Sequence, residues 1–137
     1  MGSLKEILEV SWIMKIKMYA KAEVHPTEDP KKVIEALGNI FDYDGIKIEE
    51  GCVFVSGGVE SLMRFRESLE KRRIRSTART VMIKGSKNNI TTFLLSKQAA
   101  FVGVPNFVED RLSALGEIEV TIKTDDVGRF IDWIAPA

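Results

Sequence analysis

The sequence predicts an α+β fold, a two-layer sandwich in which a mixed or antiparallel sheet carries its helices on one face. Three observations lead there. Stretches of period-two alternation and of helical periodicity interleave along the chain in the order β, α, β, β, α, α, β, α, β, α. Hairpin signals fall among the helices, notably in "IKIEEGCVFVSGG", which argues against a purely parallel sheet. A length of 137 residues with 45% apolar content gives one domain a real core and is short for two. The expected organisation is an N-terminal extension over 1–13 and a single α+β domain over 14–137.

Each element has a local reason. In "MGSLKEILEVSWI", Leu4, Ile7, Leu8 and Trp12 recur at helical spacing, with Lys5 and Glu9 four apart. The stretch reads either as a helical extension or as residues preceding a native start at Met14, and no function is based on it. From Met14, "MKIKMYAKAEV" sets Ile16, Met18, Ala20, Ala22 and Val24 against Lys15, Lys17, Tyr19, Lys21 and Glu23, the pattern of a half-buried strand. "HPTEDP" breaks it and starts a helix, with Asp29 as cap and Pro30 in the first turn. That helix turns Val33, Ile34, Leu37, Ile40 and Phe41 inward before "DYDG".

Two short strands follow around Glu50 and Gly51, closed by Gly57 and Gly58. A helix is predicted from about Val59 to Arg73, with Leu62, Phe65 and Leu69 on one stripe and Arg64, Ser68, Lys71 and Arg75 opposite. A second, shorter helix points Ile74, Ala78, Val81 and Met82 inward, leaves Arg75 and Arg79 adjacent on its surface, and stops at Gly85. "NITTFLLS" is a strand by its β-branched and aromatic content. "KQAAFVG" either continues it or begins a short helix, and "NFVEDRLSALG" is predicted helical up to Gly116. "EIEVTIK" alternates as a strand, and "DDVGRFIDWIAP" is a last helix with acids where the dipole favours them.

Composition narrows the chemistry. One cysteine and one histidine, Cys52 and His25, make neither an intrachain disulfide nor a zinc site of the usual kind. The expected setting is a reducing, cytoplasmic one with no membrane partner, since no apolar run nears the roughly 18 residues of a span and no signal-peptide layout is present. His25 reads as a turn residue, Cys52 as an inert buried thiol, and Asp125 and Asp126 as helix-start acids. "SGGVES" exposes backbone N–H groups that can hold a phosphate, but it lacks the lysine and spacing of a P-loop; a turn capped by Ser56 is the simpler account. No catalytic residue, metal site or cofactor is assigned.

Charge is the strongest signal. The chain is neutral, with 20 basic and 20 acidic residues, yet Ser61 to Val108 holds ten Lys and Arg against Glu67 and Glu70 alone. No acid lies between Glu70 and Glu109, and "EKRRIRSTAR" opens that run. Arg64, Arg66, Lys71, Arg72, Arg73, Arg75, Arg79, Lys84, Lys87 and Lys97 make up the basic set. Guanidinium suits phosphate through its bidentate fork, and a merely solubilising helix face interleaves Glu with Lys, which stops here at Glu70. The choice lies among an RNA contact, an acidic protein partner and a solvated face, with RNA preferred. Aromatic interleaving is scarce: Phe65 looks buried, and only Phe93 and Phe101 are candidates for base stacking, so backbone or duplex recognition is favoured.

"SKQAAFVG" from Ser96 to Gly103, with "HPTEDP", "RRIRSTAR", "LGEIEV" and "DWIAP", resembles the small archaeal proteins classed as predicted RNA-binding and described as exosome-associated subunits. The likeness runs from about Met14 to Ala137, and Phe107 and Trp133 fall at family positions. It implies an α+β fold similar to the ribosomal protein L5 class, no enzymatic activity, and RNA as ligand. Ser96 departs from the Asn more usual there, and Pro105 from a basic or polar residue. The resemblance adds Lys97 and Gln98 at the edge of the basic set, while Ala99, Ala100 and Phe101 are expected in the core.

The expected function is thus a non-catalytic RNA-binding module with Arg64, Lys71, Arg72, Arg75, Arg79, Lys84, Lys87, Lys97 and Gln98 as contacts, Arg75 and Arg79 ahead of Arg73. The alternative is an assembly subunit whose basic face docks an acidic partner or a second copy as a homodimer. Protein partners would then come from RNA processing.

Overall fold

Strand β1 (Ile16–Glu23) keeps the predicted alternation residue for residue, burying Ile16, Met18, Ala20 and Ala22 and exposing the positions between them. The computed structural model describes residues 15–109 and 116–137. The N-terminal extension and most of the helix expected before Gly116 lie outside the described residues.

Helix α1 (Pro30–Ile40) starts as its sequence dictates: the Asp29 carboxylate accepts from the Lys31 N–H at 3.0 Å, and Pro30 occupies the first turn, where no N–H is needed. Strands β2 (Gly45–Glu49) and β3 (Cys52–Gly57) form the expected hairpin. Its two loop residues, Glu50 and Gly51, have φ of 49° and 75°, as tight hairpin turns of the primed type require.

The helix expected over Val59 to Arg73 is interrupted. A 3-10 turn spans Val59–Leu62, and helix α2 runs Met63–Lys71. Ser56 is not the cap foreseen for this turn, since it lies on β3; Ser61 instead donates to the Gly58 carbonyl at 2.6 Å. The end of α2 is equally specific. The N–H of Arg73 reaches the Glu70 carbonyl at 3.1 Å and that of Ile74 reaches Leu69 at 3.0 Å, with Arg73 at φ 55°. These two bonds define a Schellman motif, with an arginine at the left-handed position that glycine usually takes. Helix α3 (Arg75–Lys84) then departs in a new direction, burying Ala78 and Met82.

After α3 come β4 (Ser86–Lys87), not foreseen from the sequence, and β5 (Ile90–Ser96), joined through Asn88 at φ 57°. Of the two readings of "KQAAFVG", the short helix holds. Helix α4 (Lys97–Phe101) is capped by Ser96, whose hydroxyl accepts from the Ala99 N–H at 3.1 Å. Ser and Asn are both strong N-caps, so the departure at Ser96 leaves this start intact. The helix expected from Asn106 begins differently: β6 (Phe107–Val108) pairs with Leu94 and Leu95. Strand β7 (Glu117–Thr124) and helix α5 (Val127–Ile134), capped by Asp126, end the chain as expected.

The sheet order is β2-β3-β1-β7-β5-β4, with β6 beside the far half of β5, and every pairing is antiparallel. Helices cover one face. Their buried residues meet the inward side chains of β1, β3, β5 and β7, and Phe41, Phe65, Phe93 and Phe107 form a contiguous aromatic cluster with centroid spacings of 5.4 to 6.1 Å. Phe93, a candidate for base stacking on sequence, is only 4% exposed and lies parallel to Phe65, while Phe101 is half-buried against the core. The opposite face stays open.

Candidate nucleic-acid interface

The structure sorts the basic set into three groups. Some of its members are taken up by contacts within the chain. Arg64 pairs with Asp42 at 2.7 Å and also donates to the Gly38 carbonyl. Arg66 donates from Nε to the Trp133 carbonyl at 2.8 Å and lies over that indole at 5.2 Å. Arg79, expected to point to solvent, reaches Asp132 at 2.9 Å and the Ala135 carbonyl at 3.0 Å, tying α3 to α5. Helical spacing gave its direction correctly, but α5 packs over that direction.

Lys97 is the clearest correction. It was expected at the surface beside RNA, yet its side chain is 0% exposed. Its Nζ donates to Glu28 Oε1 and to the Glu23 carbonyl, each at 2.7 Å. The first turn of α4 aims it under the "HPTEDP" loop, where it holds that loop down. Gln98, next to it, is exposed.

The second group forms a corner. Lys71, Arg72 and Arg73 are exposed and Arg75 half-exposed where α2 turns into α3, and none has an ion-pair partner among the described residues. Helix α2 ends at Lys71, before Arg73 can reach the apolar stripe, so the left-handed turn pushes Arg73 outward. A hollow of about 600 Å³ adjoins the corner, lined by Arg73, Arg75 and Arg79 together with Glu70, Ser76 and Thr80 and, on its far side, Pro136 and Ala137.

The third group is Lys84, exposed 3.9 Å from Glu109, and Lys87 on β4. Strand register carries Lys87 onto the open face of the sheet. Lys87 faces Ile90, Ile90 faces Lys123, and Lys123 faces Lys17, making one row across four strands. The next row reads Thr92, Thr121, Tyr19, Ser56 and Gly45, and the one after it Leu94, Glu119, Lys21, Phe54 and Lys47. Lys123 Nζ sits 5.4 Å from the Tyr19 ring centroid and Lys21 Nζ 5.8 Å from that of Phe54. Sequence reading treated Lys17, Tyr19 and Lys21 as the wet side of a strand and gave Phe54 and Lys123 no role. The alternation of β1 and of β7 signalled a polar face on each strand, but it does not say which residues of distant strands meet there.

The enzymatic candidates take structural places. His25 is exposed, with Nδ1 3.1 Å from the Thr27 hydroxyl, and Cys52 is half-buried rather than buried. Asp126 caps α5 and Asp125 accepts from the Lys15 N–H at 3.2 Å. Gly57 approaches Ser61 so closely that a Cβ there would lie 2.5 Å from the Ser61 Cβ, which explains the glycine without a phosphate. Among the described residues no group of three metal-ligating side chains comes together, and no helix is long and apolar enough to cross a membrane.

A family model described as RNA binding matches residues 17–124, from the second residue of β1 to the end of β7. The chain belongs to that RNA-binding family. Its relatives are archaeal: the UPF0201 protein of Methanothermobacter thermautotrophicus is 45% identical over 120 residues, covering 88% of this chain and 91% of that one. The UPF0201 protein of Sulfurisphaera tokodaii is 40% identical, covering 88% and 87%. Among solved structures, a UPF0201 protein matches with a TM-score of 0.79 at 40% identity over 88% of this chain and 94% of that chain. The UPF0201 protein of Methanococcus jannaschii matches at 0.73 and 36% identity, covering 88% and 93%. A DUF54 protein of Methanothermobacter thermautotrophicus, 24% identical with a TM-score of 0.63 over 89% and 98%, shares the fold.

Proposed function

We propose that the chain binds RNA through the corner between α2 and α3, with Lys71, Arg72, Arg73 and Arg75 on the phosphate backbone, as an accessory to RNA-processing assemblies of the exosome-associated kind that the resemblance implies. The observation that carries this reading is Arg73. A left-handed backbone costs a non-glycine residue roughly 1 kcal/mol, and at a helix end glycine would remove that cost. The chain instead keeps a guanidinium there, turned away from the core and flanked by three more cations that have no ion-pair partner among the described residues. Strain retained at an exposed charged residue points to a ligand.

Contacts of this kind are sequence-tolerant and salt-dependent, because each neutralised phosphate releases condensed counterions. Filter binding over a salt series tests the reading. The expected result is an affinity that falls linearly with salt on a logarithmic scale and drops about tenfold or more when Arg72, Arg73 and Arg75 become Ala together. Affinity indifferent to salt, or unchanged in the triple variant, overturns it.

A further inference from the structure

We propose that the open face of the sheet is a second RNA surface, a platform for the unstacked bases of a single-stranded segment. It rests on the RNA-binding reading and names a substrate form that the corner alone does not select. Tyr19 and Phe54 supply the rings. They are diagonal neighbours on adjacent antiparallel strands, since Tyr19 faces Ser56 and Lys21 faces Phe54. Around them the register places small side chains, Thr121, Ser56 and Gly45, and the result is a hollow of about 480 Å³ against both rings. Tyr19 is 39% exposed, large for an aromatic residue in the middle strands of a sheet.

Charge gives the platform a direction. Lys17, Lys123 and Lys87 line one end, spread over three strand steps and hence about 14 Å at the usual inter-strand spacing. Lys21 and Lys47 flank Phe54, with Glu119 beyond Lys21. Glu23 and Glu49 occupy the far end beside Cys52. A strand laid across the face would keep its phosphates over the lysine row and turn its bases toward the rings. The lysines above Tyr19 and Phe54 hold those ring faces by cation–π contact in the free protein. An incoming base takes the ring face and releases the ammonium to the neighbouring phosphate. Duplex RNA cannot use this surface, because its bases stay stacked on one another and offer no free face. A second copy of the chain is disfavoured as the occupant, since the face has few apolar side chains beyond Tyr19, Phe54, Ile90 and Leu94 for a dimer core.

The test titrates the full chain with a fluorescent oligouridylate and with a blunt RNA duplex of equal length. Three variants are compared with the parent: Tyr19→Ser/Phe54→Ser, Tyr19→Phe, and Arg72→Ala/Arg73→Ala/Arg75→Ala at the corner. The double sheet variant is expected to lose about tenfold or more in affinity for the oligouridylate while keeping its duplex affinity. Tyr19→Phe, which retains the ring, is expected to bind as the parent does, and circular dichroism checks that all variants fold. Oligouridylate affinity unchanged in the double sheet variant overturns the inference, and if the corner variant then weakens both probes the corner reading stands alone. A parent chain that binds neither probe overturns both. A sheet variant that dissociates a dimer without losing RNA affinity assigns the face to a second copy and overturns the inference as well.

Discussion

The Lys97 ammonium is held by groups about seventy positions away in the chain, among them the Glu28 carboxylate and the Glu23 carbonyl. A lysine whose side chain is 0% exposed is tolerated only where its ammonium is satisfied, and the Glu28 carboxylate and the Glu23 carbonyl are among the groups that do so. Lys97→Met keeps the volume but strands the Glu28 carboxylate, so urea unfolding is expected to show a loss of about 3 kcal/mol, with partial recovery when Glu28→Gln is added. RNA affinity per folded molecule is expected to stay unchanged, since the ammonium never meets solvent. Arg73 gives the opposite signature. Arg73→Gly relieves the left-handed strain and is expected to raise stability by about 0.5 to 1 kcal/mol while weakening RNA binding. A variant that gains neither stability nor loses affinity would remove the reason for reading this residue as functional.

At the scale of elements, whatever was local could be read directly. The alternation of β1, the Asp29 and Pro30 start of α1, and the hairpin at Glu50 and Gly51 all depend on residues within a few positions of each other. The elements misjudged depend on distant partners. Phe107 and Val108 form a strand because Leu94 and Leu95 offer an unpaired edge, and nothing in their own periodicity says so. The single helix drawn from Val59 to Arg73 breaks because its first turn tightens under Ser61 and its last residues close on Leu69 and Glu70. Gly85 was read correctly as a stop for α3 but for an incomplete reason. A Cβ at this position would lie 2.0 Å from the Thr92 carbonyl oxygen, whose residue also donates its N–H to the Gly85 carbonyl at 3.1 Å. Backbone on both sides leaves no side chain to swing away. Gly85→Ala is therefore expected to lower the thermal midpoint, with a loss of at least about 2 kcal/mol, although the φ of −84° at this position is one where replacing glycine by alanine is ordinarily stabilising.

Over the whole molecule, sheet order creates the surfaces that the sequence leaves scattered. Lys17, Lys87 and Lys123 lie far apart in the chain and meet only because β1, β7, β5 and β4 are neighbours. The same order leaves β2 at an edge, with Ile46 and Ile48 turned to the side of Val55 and Val53 yet 48% and 59% exposed, because the helical layer stops short of them. An edge strand with apolar side chains and a free row of backbone groups is a template for another strand, and no proline or lysine on its inward side blunts it. Two kinds of self-association are therefore distinguishable. Pairing through β2 buries apolar side chains and persists as salt rises, whereas docking of the basic corner on the acidic part of another copy is screened within about 10 Å at ordinary ionic strength. The expected result in analytical ultracentrifugation is a concentration-dependent species that survives high salt and disappears in the Ile46→Lys/Ile48→Lys variant. Loss of that species with salt, and its survival in the double variant, would instead assign association to the corner of Lys71, Arg72, Arg73 and Arg75, where it would compete with RNA for the same cations.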